Sequence, residues 1–248
     1  MKSGLALGRK LGAEFLGSLL LAAVVVGSGI AAQQLSPTDV GLQLTQNAAA
    51  TALGLFAIIL MFGPVSGAHF NPVVSFVDAA FGGLRWRTAA AYLPAQVVGC
   101  IAGAVLANLM FAEPAVSFST RHRITGPHFL AEIVATAGLV LVIFALTRTG
   151  RTTHTPAAVA AYIGAAYFFT SSTSFANPAI TIGRIFSDTF AGIAPSSAPG
   201  FIAAQLIGGA LGFALVHLFY PVPDPAATSA AVVPDHATVD ADRERSIQ

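Results

Sequence analysis

The sequence predicts an all-α membrane protein of six transmembrane helices plus two re-entrant half-helices, arranged as an inverted 3+3 repeat. Three observations carry this. Hydrophobic residues make up 55% of the 248 positions and charged residues only 9%, against about a quarter charged in soluble domains. Six apolar stretches reach the roughly 20 residues that a helix needs to cross a bilayer. Two shorter apolar stretches each open with Asn-Pro, and the chain around them repeats itself.

The spans lie at about 11–32, 42–63, 87–110, 128–147, 156–175 and 200–220. The first has the layout of a secretory signal: Lys2, Arg9 and Lys10 precede an apolar run that ends near Ala31 and Ala32. Glu14 inside that run, and the five long apolar segments after it, favour a retained first span. The short stretches are 71–82 and 177–189, starting at Asn71-Pro72 and Asn177-Pro178. Asn is a good N-cap and Pro is preferred at the first helical position. Both stretches read as helices that begin inside the membrane. Non-helical backbone at that depth is tolerated only where it lines a cavity or is buried in protein.

Charge placement gives an orientation. Lys2, Arg9, Lys10, Arg85, Arg87, Arg148, Arg151, Arg243 and Arg245 all fall on one side of six spans. The positive-inside rule makes that side the cytoplasm. Arg121 and Arg123 stand on the other side. The chain divides into a cytoplasmic N-terminus (1–10), a first half (11–125), a second half (126–221) and a cytoplasmic tail (222–248). The tail is rich in Ala, Pro and Asp and reads as disordered. The expected setting is the inner (plasma) membrane, crossed several times, with both termini cytoplasmic. The lipid bilayer is the expected partner; a net charge of +1 points to no nucleic acid.

The halves echo each other. "AEFLGS" (13–18) returns as "AEIVAT" (131–136), and "AQVVGCIAGA" (95–104) as "AQLIGGALGF" (204–213). "GAHFNPVVSFVDAAFGG" (67–83) returns as "SFANPAITIGRIFSDTFAG" (174–192). The offsets are 118 for Glu14 and Glu132, 106 for Asn71 and Asn177, and 109 for Gln96 and Gln205. Three spans per half make the second half enter from the opposite face, an inverted repeat.

The two half-helices should therefore meet near the midplane, N-terminus to N-terminus. Each such end carries roughly half a positive charge, and two facing one lumen disfavour cations and protons. Asn71 and Asn177 can each offer an amide donor to a passing solute, while their side-chain carbonyls accept backbone N–H bonds. The expected function is a passive channel for small neutral solutes. No cofactor or metal is expected: there is no HExxH, phosphate loop or nucleophile elbow, and nothing suggests an enzyme. The single Cys100 reads as a small packed hydrophobe.

Glu14 and Glu132 are intramembrane carboxylates, which are costly and by default functional. Proton relay is one reading; support of the half-helix loop is preferred, because each precedes its loop by one unit of the repeat. Gln96 and Gln205 read as interhelical glue. His69 either lines the pore or anchors the loop.

These motifs resemble the aquaporin (major intrinsic protein) family, over about residues 10–220. "SGAHFNPVV" matches the family's first motif except for Val73 in place of Ala, and Asn177-Pro178-Ala179 matches the second. The resemblance implies a homotetramer with one pore per subunit, and carboxylates at the positions of Glu14 and Glu132 that hold the pore-lining loops. It also marks a departure. Most similar proteins carry Arg after the second Asn-Pro-Ala; here stands Ile180, with Arg184 one turn on. Positions i and i+4 share a helix face. Arg184 either approaches the lumen from beyond Ile180 or serves helix contacts at the outer mouth, and the second placement is preferred.

Counted from the asparagines, the remaining filter positions are Thr51, Ala165 and Ser174. Thr, Ala, Ser and Ile contain no aromatic ring, no imidazole and no cation, so the expected filter is wider than that of a strict water channel. "NPAITIGRIFSDTFAGIAPSS" resembles the bacterial branch associated with arsenic resistance. That resemblance implies passage of arsenous acid and similar metalloid hydroxides, beside glycerol and water. The alternatives are a strict water channel and, in another class, a secondary transporter. The latter would need a midplane ion site, for which Glu14 and Glu132 are the only carboxylates.

Overall fold

The computed structural model describes residues 2–221, with side chains from Leu7 onward. The tail expected at 222–248 lies outside the described residues. Among the described residues eight α-helices form: α1 (Lys2–Leu35), α2 (Val40–Ser66), α3 (Pro72–Ala80), α4 (Trp86–Met110), α5 (Gly126–Arg148), α6 (Thr155–Phe169), α7 (Pro178–Gly183) and α8 (Ala198–Phe219). Five of them, α1, α2, α4, α5 and α8, are long and apolar enough to cross a membrane. The bundle has a near side, where α1 begins and α8 ends, and a far side. Half-helix α3 runs from the middle back to the near side, and α7 from the middle to the far side.

Two expected boundaries move. The span expected at 156–175 stops at Phe169, which leaves α6 with 15 residues after a 3-10 turn at Thr152–His154. Thr173, Ser174 and Ala176 have φ of 65°, 51° and 49°, a left-handed backbone that no α-helix includes. Residues 170–176 instead carry the chain down to Asn177. The half-helix expected at 177–189 is α7 plus a 3-10 turn at Arg184–Phe186. Asn108 ends it: its Nδ2 donates to Phe186 O at 2.9 Å, and Ser187 Oγ donates to its Oδ1 at 2.7 Å.

The sequence repeat is also a packing repeat. A Cβ on Gly99 or Gly103 would come within 2.4 Å and 2.1 Å of Phe15 O and Leu19 O, so α4 lies backbone to backbone on α1. Gly208 and Gly212 do the same for α8 on α5, with Ile133 O at 2.6 Å and Ala137 O at 2.8 Å. Small residues replace bulky packing where two helices must touch without water to drive them together. Both contacts put a half-helix against the closely packed pair: α7 lies on α4, and α3 lies on α8.

Arg123, on the far side against the general charge pattern, is used structurally. Its Nε donates to Gly192 O at 2.7 Å and its Nη2 to Phe190 O at 2.8 Å. These bonds tie the loop before α5 to the segment that follows α7. Burial, with neighbouring Arg121 adding to it, pushes its guanidinium down to about 10.

Candidate functional site

Each half-helix begins with the same device. Asn71 Oδ1 accepts from Val73 N at 3.0 Å, and Asn177 Oδ1 accepts from Ala179 N at 2.9 Å and Ile180 N at 3.3 Å. Pro72 and Pro178 follow at the first helical positions, where a missing N–H costs nothing. The backbone leading in is left-handed at Ala68 (φ 52°) and Phe70 (49°), and again at Ser174 (51°) and Ala176 (49°). That conformation costs about 1 kcal/mol or more per non-glycine residue. It is held in place by carboxylates.

Glu14 Oε1 accepts from His69 N at 3.0 Å and Oε2 from Phe70 N at 2.7 Å. Glu132 Oε1 accepts from Phe175 N at 2.8 Å and Oε2 from Ala176 N at 2.9 Å. Gln96 and Gln205 each add an Nε2–H bond of 2.7 Å to the same carboxylate. Both carboxylates are fully buried, and neither borders the central cavity. Support of the loops, not a lumen site, is what their geometry offers.

The asparagines do one thing the sequence did not suggest. Asn71 Nδ2 donates to Ala176 O and Asn177 Nδ2 donates to Phe70 O, both at 2.7 Å. Each amide thus spends one hydrogen on the opposite loop. An amide has two, so one remains for the lumen.

A cavity of about 750 Å³ runs past both asparagines. Toward the far side it is bordered by Thr51, Tyr167, Ser174, Phe175, Ile180 and Arg184. Toward the near side it meets His69 and Asp78. Val73 and Ala179 face away from it, buried in the helix packing.

Three sequence expectations are corrected here. Ala165 does not border the cavity; it is exposed on the outside of α6. Tyr167 takes its place, with its hydroxyl 3.1 Å from Thr51 Oγ1. Two residues are about 200° around a helix, so a spacing count that misses the short descent 170–176 by two exchanges the lumen for the outer surface. The wall therefore has aromatic rings, Tyr167 and Phe175, where none was expected. Nor is it without a cation. Arg184 is 2% exposed, borders the cavity, and lays its guanidinium 3.5 Å above the Phe175 ring centroid. Its Nε donates to Ala191 O; among the described residues its terminal amino groups bond no protein acceptor. The preferred placement of Arg184 in helix contacts alone is thereby set aside, since it serves both. Ser174 Oγ is buried without a protein partner and borders the same stretch.

A family model described as "Major intrinsic protein" matches residues 2–176. The chain belongs to the major intrinsic protein family. It is 49% identical to "Aquaglyceroporin AqpS" of Rhizobium meliloti over 209 residues, which is 84% of this chain and 88% of that protein. It is 32% identical over 162 residues to a "Glycerol uptake facilitator protein" of Pseudomonas aeruginosa, 56% of this chain and 57% of that one. The fold resembles the X-ray structure of the aquaglyceroporin from Plasmodium falciparum, with a TM-score of 0.68 at 21% identity, over 85% of this chain and 95% of that one.

The family match stops one residue short of Asn177. In this member of the major intrinsic proteins, the second Asn-Pro rests on its geometric equivalence with the first. Asp78, Tyr167 and Phe175 are among the cavity residues that the sequence motifs do not single out. Asp78 had a signal: it stands 106 positions before Arg184, the offset of the two asparagines.

Proposed function

We propose that the chain is a passive pore for small neutral molecules bearing hydroxyl groups, up to about the size of glycerol, with water and metalloid hydroxides such as arsenous acid in the same class. The cavity that runs unbroken past both asparagine amides is the observation that carries this. On its far stretch, apolar and aromatic surface from Ile180, Tyr167 and Phe175 stands beside hydrogen-bonding groups of Thr51, Ser174 and Arg184. A polyol or a trihydroxy metalloid has the matching character, with polar hydroxyls on a compact body. A hydrated cation does not: it meets two helix N-termini, a guanidinium and too few oxygen ligands to replace its shell.

The names of the relatives support polyol passage. The selectivity positions in this reading are Thr51, Tyr167, Ser174, Ile180 and Arg184. The pore sits in the inner membrane with both termini cytoplasmic, which makes the far side the exterior. Exposed apolar side chains such as Leu53 (71%) and Leu206 (51%) supply a surface for lipid or for neighbouring subunits of a homotetramer.

Stopped-flow light scattering on proteoliposomes tests the reading. Glycerol and water permeability both rise over empty vesicles, and dissipating a proton gradient changes neither. Water flux without glycerol flux would make it a strict water channel. Loss of downhill uptake on collapsing the gradient would make it a coupled transporter.

A further inference from the structure

Asp78 and Arg184 occupy equivalent places in the two halves, at the 106-residue offset of the asparagines. Both border the cavity. One half presents a guanidinium on the far side of the asparagine pair, and the other presents a carboxylate on the near side.

The setting of Asp78 is specific. Its Oδ2 lies 3.5 Å from His69 Nε2, with the two side chains 22% and 11% exposed. Oδ1 packs on Gly83, where a Cβ would come within 2.2 Å of it. Among the described residues no other side chain or backbone N–H reaches this carboxylate.

The network behind His69 favours one arrangement of its ring protons. Nδ1 lies 3.0 Å from Ser75 Oγ. Ser75 Oγ accepts from Gln96 Nε2 at 3.0 Å and donates to Asn71 O at 3.1 Å. Thr181, the equivalent residue, makes the same two bonds with no imidazole near: Gln205 Nε2 donates to it at 2.9 Å, and it donates to Asn177 O at 2.9 Å, with Gln205 Oε1 further off at 3.4 Å. With the hydroxyl proton on the carbonyl in both halves, as these bonds place it, His69 Nδ1 is the donor to Ser75. In the neutral imidazole that leaves Nε2 as an acceptor. It faces a carboxylate oxygen across a gap too long for a hydrogen bond, on the wall of the cavity. Two acceptors held side by side need a donor, and the lumen is where one can come from.

The geometry points to His69 and Asp78 as an acceptor subsite for the hydroxyl hydrogens of a permeating solute, complementary to the donor subsite at Arg184. This rests on the reading of the chain as a pore for hydroxyl-bearing solutes and names a second place where they are held. A solute that enters at Arg184 offers its oxygens; past the asparagines it offers its hydrogens. Two shared, moderate sites suit conduction, which needs binding strong enough to admit a solute and weak enough to release it. A hydrogen bond to a carboxylate is roughly twice as strong as one between neutral groups, so Asp78 dominates the pair.

The experiment measures how glycerol slows water. Water permeability of proteoliposomes is followed with equal glycerol on both sides, and the half-inhibiting concentration is read for wild type, Asp78→Ala, Asp78→Asn and Asp78→Glu. The proposal expects glycerol to inhibit the wild type. It expects the half-inhibiting concentration to rise severalfold in Asp78→Ala, less in Asp78→Asn, and to return toward wild type in Asp78→Glu. Asp78→Asn keeps the side-chain shape, so it answers the question if Asp78→Ala fails to fold. An unchanged half-inhibiting concentration in the Ala and Asn variants overturns the subsite, as does absence of inhibition in a wild type that conducts glycerol. A wild type that conducts no glycerol at all sinks the functional reading first, and the subsite with it.

Discussion

Val73 and Gly209 are fitted to each other: a Cβ placed on Gly209 would stand 2.4 Å from Val73 Cγ1. The extra bulk that departs from Asn-Pro-Ala in the first half is thus absorbed by α8. Gly209→Ala should overpack this contact and cost roughly 1–3 kcal/mol. Val73→Ala in the same chain should recover most of the loss. Thermal unfolding of the detergent-solubilised single and double variants measures this; simple addition of the two losses would show that the residues are independent.

Glu132→Gln should weaken the second loop. The carboxylate accepts from two backbone N–H groups and from Gln205, whereas an amide offers one oxygen and adds a donor. Leaving one buried N–H unpaired costs about 1–3 kcal/mol. Because the loop backbone itself shifts, water and glycerol permeability should fall together, along with melting temperature. A variant with normal stability and selectively lost glycerol flux would assign Glu132 to the lumen instead.

Tyr167 and Ala165 make a paired test of which face of α6 is wet. Ala165→Leu adds bulk to an exposed outer position and should leave both permeabilities near wild type. Tyr167→Ala removes a cavity wall and the hydroxyl bonded to Thr51, and should change the glycerol-to-water ratio. Flux measurements on the two variants side by side decide it; the opposite pattern would restore Ala165 to the lumen.

Ile180→Arg puts a second guanidinium in the stretch that Arg184 already borders. It should narrow the passage and depress glycerol and arsenous acid flux more than water flux. Arg184→Leu removes the cation and exposes the Phe175 face, and should raise cation leak in a vesicle conductance assay. Equal loss of every flux in Ile180→Arg would count against a role in selectivity.

The sequence discloses whatever is periodic or repeated. Six apolar runs, two Asn-Pro starts and the Glu and Gln landmarks return at their offsets, and the structure pairs them as the repeat implies. The misplacements cluster in 165–189, where backbone is irregular. A count from Asn177 to Ala165 crosses the seven non-helical residues 170–176, whose length no hydropathy pattern records, and it lands on the outer face. Arg184 failed for a different reason. Spacing puts it on the correct face, but its inward lean depends on the Phe175 ring and on Ala191 O, partners that only tertiary packing supplies. The asparagine amides crossing to the opposite loop are likewise invisible until both halves are in place.

That exchange across the centre ties the order of synthesis to the finished conduit. Asn177 leaves the ribosome well after Asn71, yet each supplies the hydrogen that the other half's loop carbonyl accepts. A nascent chain that ends before Asn177 has a capped α3 and Glu14 beneath it, but Phe70 O still lacks its donor and Asn71 its acceptor. The passage is therefore closed into shape by the last third of the polypeptide. A chain without Asn177 lacks one half of the pair of hydrogen bonds that joins the two loops at the centre.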